Sequence, residues 1–196
     1  MKHLMLGIAT ALALTGCYEK AAVNDGLTKS IKAFDSIDVA NNSPDMTVKS
    51  WWRVKDSGSV LYAELCKDNL RQAGPFFEKL SRLSTAEVFH EQDCAKQAPV
   101  FDRQITKVDV QSETRAVVTA QIKNVTPAEE GAEMDADDKK AKEAGEPFQY
   151  VLERKDSASE WKISKVSRYP SYARDWEQIF KKPQPSNNRW VYEWLQ

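Results

Sequence analysis

The chain has 196 residues, with 28 Lys and Arg against 29 Asp and Glu, a formal net charge of −1, three cysteines and two histidines. That length accommodates one domain with a full hydrophobic core. No basic excess is present to hold a phosphate backbone, which argues against nucleic-acid binding. Of the two histidines only His90 lies beyond an N-terminal apolar segment that reads as a removed signal, which excludes a multi-histidine zinc site.

Lys2 and His3 form a short basic head, followed by an apolar run from Leu4 to Ala13. A run of about ten residues suits a signal peptide and falls well short of the roughly 20 apolar residues that cross a bilayer. It leads into Leu14-Thr15-Gly16-Cys17, which resembles the lipobox of bacterial lipoproteins. The resemblance implies that residues 1–16 are removed and that Cys17 becomes a lipidated N-terminus. Several acyl chains on one residue would anchor firmly, because each buried CH₂ contributes about 0.8 kcal/mol and stable attachment needs more than one chain. Tyr18, rather than Asp, follows Cys17. By resemblance to enterobacterial sorting, this implies a cell-envelope protein on the outer membrane, facing the periplasm. The alternative is an ordinary secretory signal with an incidental cysteine. Loss of Lys2 with the signal lowers the basic count from 28 to 27 against 29 acids, and no second long apolar run follows.

The periplasm is oxidising, so Cys66 and Cys94 most simply pair as a disulfide. Closing that loop would stabilise the fold by roughly 3–4 kcal/mol in the chain-entropy picture. A metal site built from Cys66, His90 and Cys94 is the sharper alternative, because His90 and Cys94 are four residues apart and can share a helical face. Two free, buried thiols are the third. With His3 lost, any Ser-His-Asp or Cys-His chemistry would have to use His90. The reading assigns no metal and no cofactor.

Residues 17–42 read as a polar tether holding the domain off the membrane, although Leu27, Ile31 and Phe34 at i, i+4, i+7 allow a short amphipathic helix. Ser43-Pro44-Asp45 is a helix start, with a capping hydroxyl, a proline at the first position and an acid at the positive end. The helix carries Val48, Trp51, Trp52 and Lys55 and is expected to pause near Ser57-Gly58. A second run follows with Leu61, Leu65 and Cys66. Gly74-Pro75 breaks the chain again, and Phe76, Leu80 and Leu83 mark a further helix. These helices are expected to lie on one side of a sheet.

The period then changes to two. Val108 and Val110 follow Ile105, Ser112-Glu113-Thr114 makes a turn, and Ala116, Val118, Ala120 and Ile122 alternate with polar residues. Phe148, Tyr150 and Leu152 alternate again, and a last strand runs from Trp161 and Ile163 through Val166. Such alternation describes an antiparallel sheet covered on one side. The insertion at residues 126–146 carries Glu129, Glu130, Glu133, Asp135, Asp137 and Asp138. Their spacing does not follow a calcium loop, and Lys139, Lys140 and Lys142 oppose cation capture, so a solvated or partly helical excursion is expected. Residues 171–182 suggest a helix with Tyr172, Trp176, Ile179 and Phe180 on one stripe. Trp190, Tyr192 and Trp194 alternate in the tail. They either add a strand that fills the core or present an aromatic peptide to an envelope protein partner.

Helices followed by a strand meander, with Ser43-Pro44-Asp45 leading into Trp51-Trp52 and Glu160-Trp161-Lys162-Ile163 after a polar turn, resemble the nuclear-transport-factor-2-like superfamily over residues 43–169. The resemblance implies an α+β fold whose strongly curved antiparallel sheet and helices form a cone with a pocket at its open end. Residues 170–196 would be an added C-terminal helix and aromatic tail. The superfamily contains enzymes, ligand-binding domains and assembly modules, so the fold leaves function open. Tyr62, Tyr150 and His90 are the titratable candidates for the interior, each with a structural reading beside it, and no residue is assigned a catalytic role. The expectation is a non-enzymatic, membrane-anchored module that binds a protein or a ligand. An enzyme or carrier for a small apolar ligand, and an immunity-type inhibitor, are the alternatives. A cone filled by Trp51, Trp52 and Trp161 would exclude the enzyme.

Overall fold

The computed structural model describes residues 25–68, 73–88, 98–128 and 131–181. Cys17, His90, Cys94, Glu129, Glu130 and the aromatic tail with Trp190, Tyr192 and Trp194 lie outside the described residues. The elements are α1 (Asp25–Asp35), α2 (Pro44–Asp68), α3 (Gly74–Leu83), β1 (Phe101–Ser112), β2 (Arg115–Asn124), α4 (Ala136–Ala144), β3 (Glu146–Glu153), β4 (Lys162–Arg168) and β5 (Glu177–Ile179). The fold is α+β. Among the described residues the strands form one antiparallel sheet in the order β1-β2-β3-β4-β5.

The stretch read as a tether contains a packed helix, so the amphipathic alternative describes residues 25–35. Leu27 and Ile31 are partly buried against the core and Phe34 is fully buried. The Phe34 ring meets Phe76 edge-on, with centroids 5.8 Å apart. Lys79 on α3 donates from Nζ to the carbonyls of Phe34, Asp35 and Ile37 at 2.9, 3.1 and 2.9 Å. That cation supplies the exposed carbonyls at the end of α1 and suits the negative end of its dipole.

Ser43 occupies the start of α2 as expected. Its carbonyl accepts from Thr47 N at 3.0 Å, and its hydroxyl donates to Asp45 Oδ1 at 2.7 Å. The expected pause at Ser57-Gly58 does not occur, and α2 continues through it for 25 residues. Gly58 is a point of close approach: a Cβ there would overlap the buried Phe76 ring of α3. The glycine lets two helices touch without ending either.

β2 follows its alternation closely, with Ala116, Val118, Ala120 and Ile122 all buried. β4 carries a register shift opposite Val151 and Leu152, which turns both Ile163 and Val166 into the core. Two expectations fail at the sheet edges. Val108 and Val110 are 43 % and 61 % exposed, because β1 is an edge strand whose second half lies largely outside the core. Residues 177–179 form β5 rather than part of a helix over 171–182, since the free edge of β4 offers backbone partners at Val166, Ser167 and Arg168. Local helical spacing lost to a sheet edge that needed pairing. The sheet is neither strongly curled nor closed, so the established architecture is an antiparallel sheet with helices, without the strongly curved cone.

The acidic excursion is partly helical, as expected. Asp135 caps α4 by accepting from Asp138 N at 2.8 Å. Gly145 (φ 67°) follows, where a Cβ would overlap the Ile122 carbonyl. Among the described residues, no helix is long and apolar enough to cross a membrane.

Candidate functional site

An aromatic cluster lies where α2 crosses the sheet. Trp51, Trp52, Lys55, Asp56 and Ser59 form one stripe of α2 at i, i+1, i+4, i+5 and i+8. The sheet brings its inward positions to meet them: Arg103 pairs with Ile122, and Tyr150 pairs with Val118 and Val166. Together with Phe101, Phe148 and Phe180 these side chains enclose a cavity of about 270 Å³. Trp51 and Trp52, only 4 % and 7 % exposed, form its walls and leave that space open between them and the sheet.

Ring contacts fix the walls. Tyr150 stands edge-on to Trp51 and Trp52, with centroids 5.7 and 5.8 Å away. Trp52 Nε1 donates to the Tyr150 hydroxyl at 2.8 Å. Phe180 stands edge-on to Trp51 at 5.6 Å. It does so from a left-handed backbone (φ 54°), which a bulky residue seldom adopts and which surrounding contacts must hold.

Three charges belong to this pocket. Arg103 grips Asp56 with both arms of its guanidinium, NH1 to Oδ2 at 2.5 Å and NH2 to Oδ1 at 2.7 Å. The same guanidinium lies over Phe101 and Trp52, 4.8 and 5.7 Å from their centroids. Lys55 Nζ faces Phe180 at 5.0 Å and Trp51 at 5.7 Å. Burial first, and the Arg103 charge second, lower the Lys55 pKa from 10.5 to about 8, with Asp56 partly opposing. Burial also pushes the Tyr150 phenol above its ordinary value, while the Trp52 hydrogen bond works against that shift.

Of the residues singled out from sequence, Tyr150 lines this pocket. Tyr62 is partly buried against the core and is not part of the lining. Trp161 is buried elsewhere, beneath the Arg154 guanidinium at 4.4 Å. Cys66 lies near the end of α2, and its expected partner Cys94 is outside the described residues. Lys55, Asp56, Arg103 and Phe180 were not anticipated as site residues. A signal existed for two of them: Lys55 lies one turn beyond Trp51, and Arg103 alternates with Phe101 and Ile105, so both charges occupy apolar positions. Comparison with protein-family models, with curated proteins and with solved structures finds no match.

Proposed function

We propose that this chain is a lipid-anchored module of the bacterial cell envelope that binds a small, largely apolar ligand in the pocket beneath α2. The supporting observation is the cavity of about 270 Å³ walled by Trp51, Trp52, Phe101, Phe148 and Phe180. Ligand pockets run from about 300 to 1,000 Å³ and are mostly apolar with a few convergent polar groups, so this one falls just below that range and suits only a small ligand. Binding is favoured over catalysis because Asp56 and Arg103 occupy each other. The sequence supplies the other half of the reading, with Cys17 as the acylated anchor at the outer membrane. Helix-then-meander order, and a ligand space between helix and sheet, support kinship with the nuclear-transport-factor-2-like superfamily. A Cys66–Cys94 disulfide would brace the end of α2.

Two measurements test the reading. Cys17→Ala should release the protein from the membrane fraction, and retention equal to wild type would contradict the anchor. Calorimetric titration of the full-length protein with uncharged 2-naphthol should give saturable binding. Ser59→Trp, which places a large ring against the cavity, should abolish it. Absence of 2-naphthol binding to the unmodified protein would contradict a pocket open to a two-ring aromatic ligand.

A further inference from the structure

The pocket holds two cations and one carboxylate, and their pairing is unequal. Both oxygens of Asp56 are taken by Arg103, whose side chain is only 12 % exposed. Among the described residues, Lys55 Nζ forms no hydrogen bond or ion pair with a carboxylate or carbonyl oxygen, and it lies over the faces of Trp51 and Phe180. Ring faces compensate an ammonium in part. An ammonium removed from water without an anion is otherwise costly. An ammonium with no anion bonded to it, its charge only partly offset by neighbouring Asp56, therefore faces an aromatic-walled space that can hold a small molecule.

The chemistry of the occupant follows from that arrangement. A cation would be repelled by Lys55 and Arg103. A dianion such as a phosphate monoester would need a second unpaired cation, and the Arg103 fork is already filled. One negative charge on a planar group matches one ammonium. Tyr150 lines the same cavity; its hydroxyl accepts from Trp52 and retains its own proton as a second donor for a second oxygen. The ring walls suit an apolar body.

We propose that the pocket binds a small monocarboxylic acid, with its carboxylate on Lys55 and its apolar body among Trp51, Phe148 and Phe180. This rests on the ligand-pocket reading above and adds the class of ligand. Aliphatic and aromatic acids share that chemistry, and the test separates them.

The test is calorimetry on the full-length protein with octanoate and 2-naphthoate, each beside its neutral amide. An acid should bind, and its amide should bind about tenfold more weakly or worse, the loss expected for one charge-assisted hydrogen bond. Octanoate alone would mark an acyl-chain site and 2-naphthoate alone an aromatic-acid site. Lys55→Met should weaken the acid about tenfold and the amide clearly less, and an unchanged far-ultraviolet circular dichroism spectrum shows that the variant is folded. Lys55→Arg should recover part of the acid affinity. Equal affinities for acid and amide, or an unchanged acid affinity in Lys55→Met, would overturn the carboxylate assignment while leaving the pocket standing. If acids, amides and 2-naphthol all fail to bind, the pocket reading itself falls.

Discussion

Replacing Lys55 with Met removes a partly buried ammonium while keeping an unbranched apolar chain in the same space. The Lys55 pKa falls from 10.5 to about 8 on folding, so the folded state holds this proton more weakly than the unfolded state. Below about pH 8 both states are charged, and folding bears the whole penalty. Each pH step between the two values corresponds to about 1.36 kcal/mol, which gives an upper bound of about 3 kcal/mol. Contacts with the faces of Trp51 and Phe180 return about 0.5–2 kcal/mol of it. Lys55→Met should therefore be up to about 1–2.5 kcal/mol more stable than wild type at pH 6.5. Between about pH 8 and 10.5 the unfolded chain binds more protons, so wild-type stability rises relative to the variant and the gap should close. Across that range the Tyr150 phenol, raised by burial, stays neutral in the folded state. Urea denaturation followed by far-ultraviolet circular dichroism at pH 6.5, 8.5 and 10.5 would measure this. A variant less stable than wild type at pH 6.5, or a gap independent of pH, would refute the claim that Lys55 is held without a bonded anion at a cost to the fold. A residue that weakens the fold in this way is what a binding site is expected to contain.

Two further substitutions test the scaffold of the pocket. Gly→Ala within a helix ordinarily gains about 1 kcal/mol, but Gly58→Ala should lose about 1–3 kcal/mol by overpacking against Phe76; a raised melting temperature would disprove that helix contact. Tyr150→Phe leaves the buried Trp52 Nε1 without its acceptor and should cost about 1–3 kcal/mol. Unchanged stability in denaturant would show that the bond contributes little.

The parts legible in the sequence were those where one face of one element is decided by burial alone. Alternation in β2 named Ala116, Val118, Ala120 and Ile122 correctly because every inward position there is covered. The start of α2 was readable because Ser43, Pro44 and Asp45 act locally. Gly58 misled because its role is a contact with Phe76, 18 residues away, and sequence shows a glycine without showing what approaches it. The helical spacing of Tyr172, Trp176 and Ile179 misled because the need of the β4 edge for partners outweighed a local pattern. Tyr150 was visible as an aromatic at an inward position. The charged half of the pocket was not read, because the apolar positions of Lys55 and Arg103 hint at an inward side chain without showing what it meets, and the Arg103–Asp56 fork forms only when α2 is laid across β1.

The most direct test of the central claim follows the indole N–H signals of the six tryptophans by proton–nitrogen correlation spectroscopy. Each is assigned by its Trp→Phe variant, and 2-naphthoate and octanoate are then titrated into the full-length protein. Trp51 and Trp52, which line the pocket, should shift together and saturate, while Trp161, equally buried but away from it, should stay in place. Shifts confined to other tryptophans, or no saturable shift at Trp51 and Trp52 with either acid, would contradict the account.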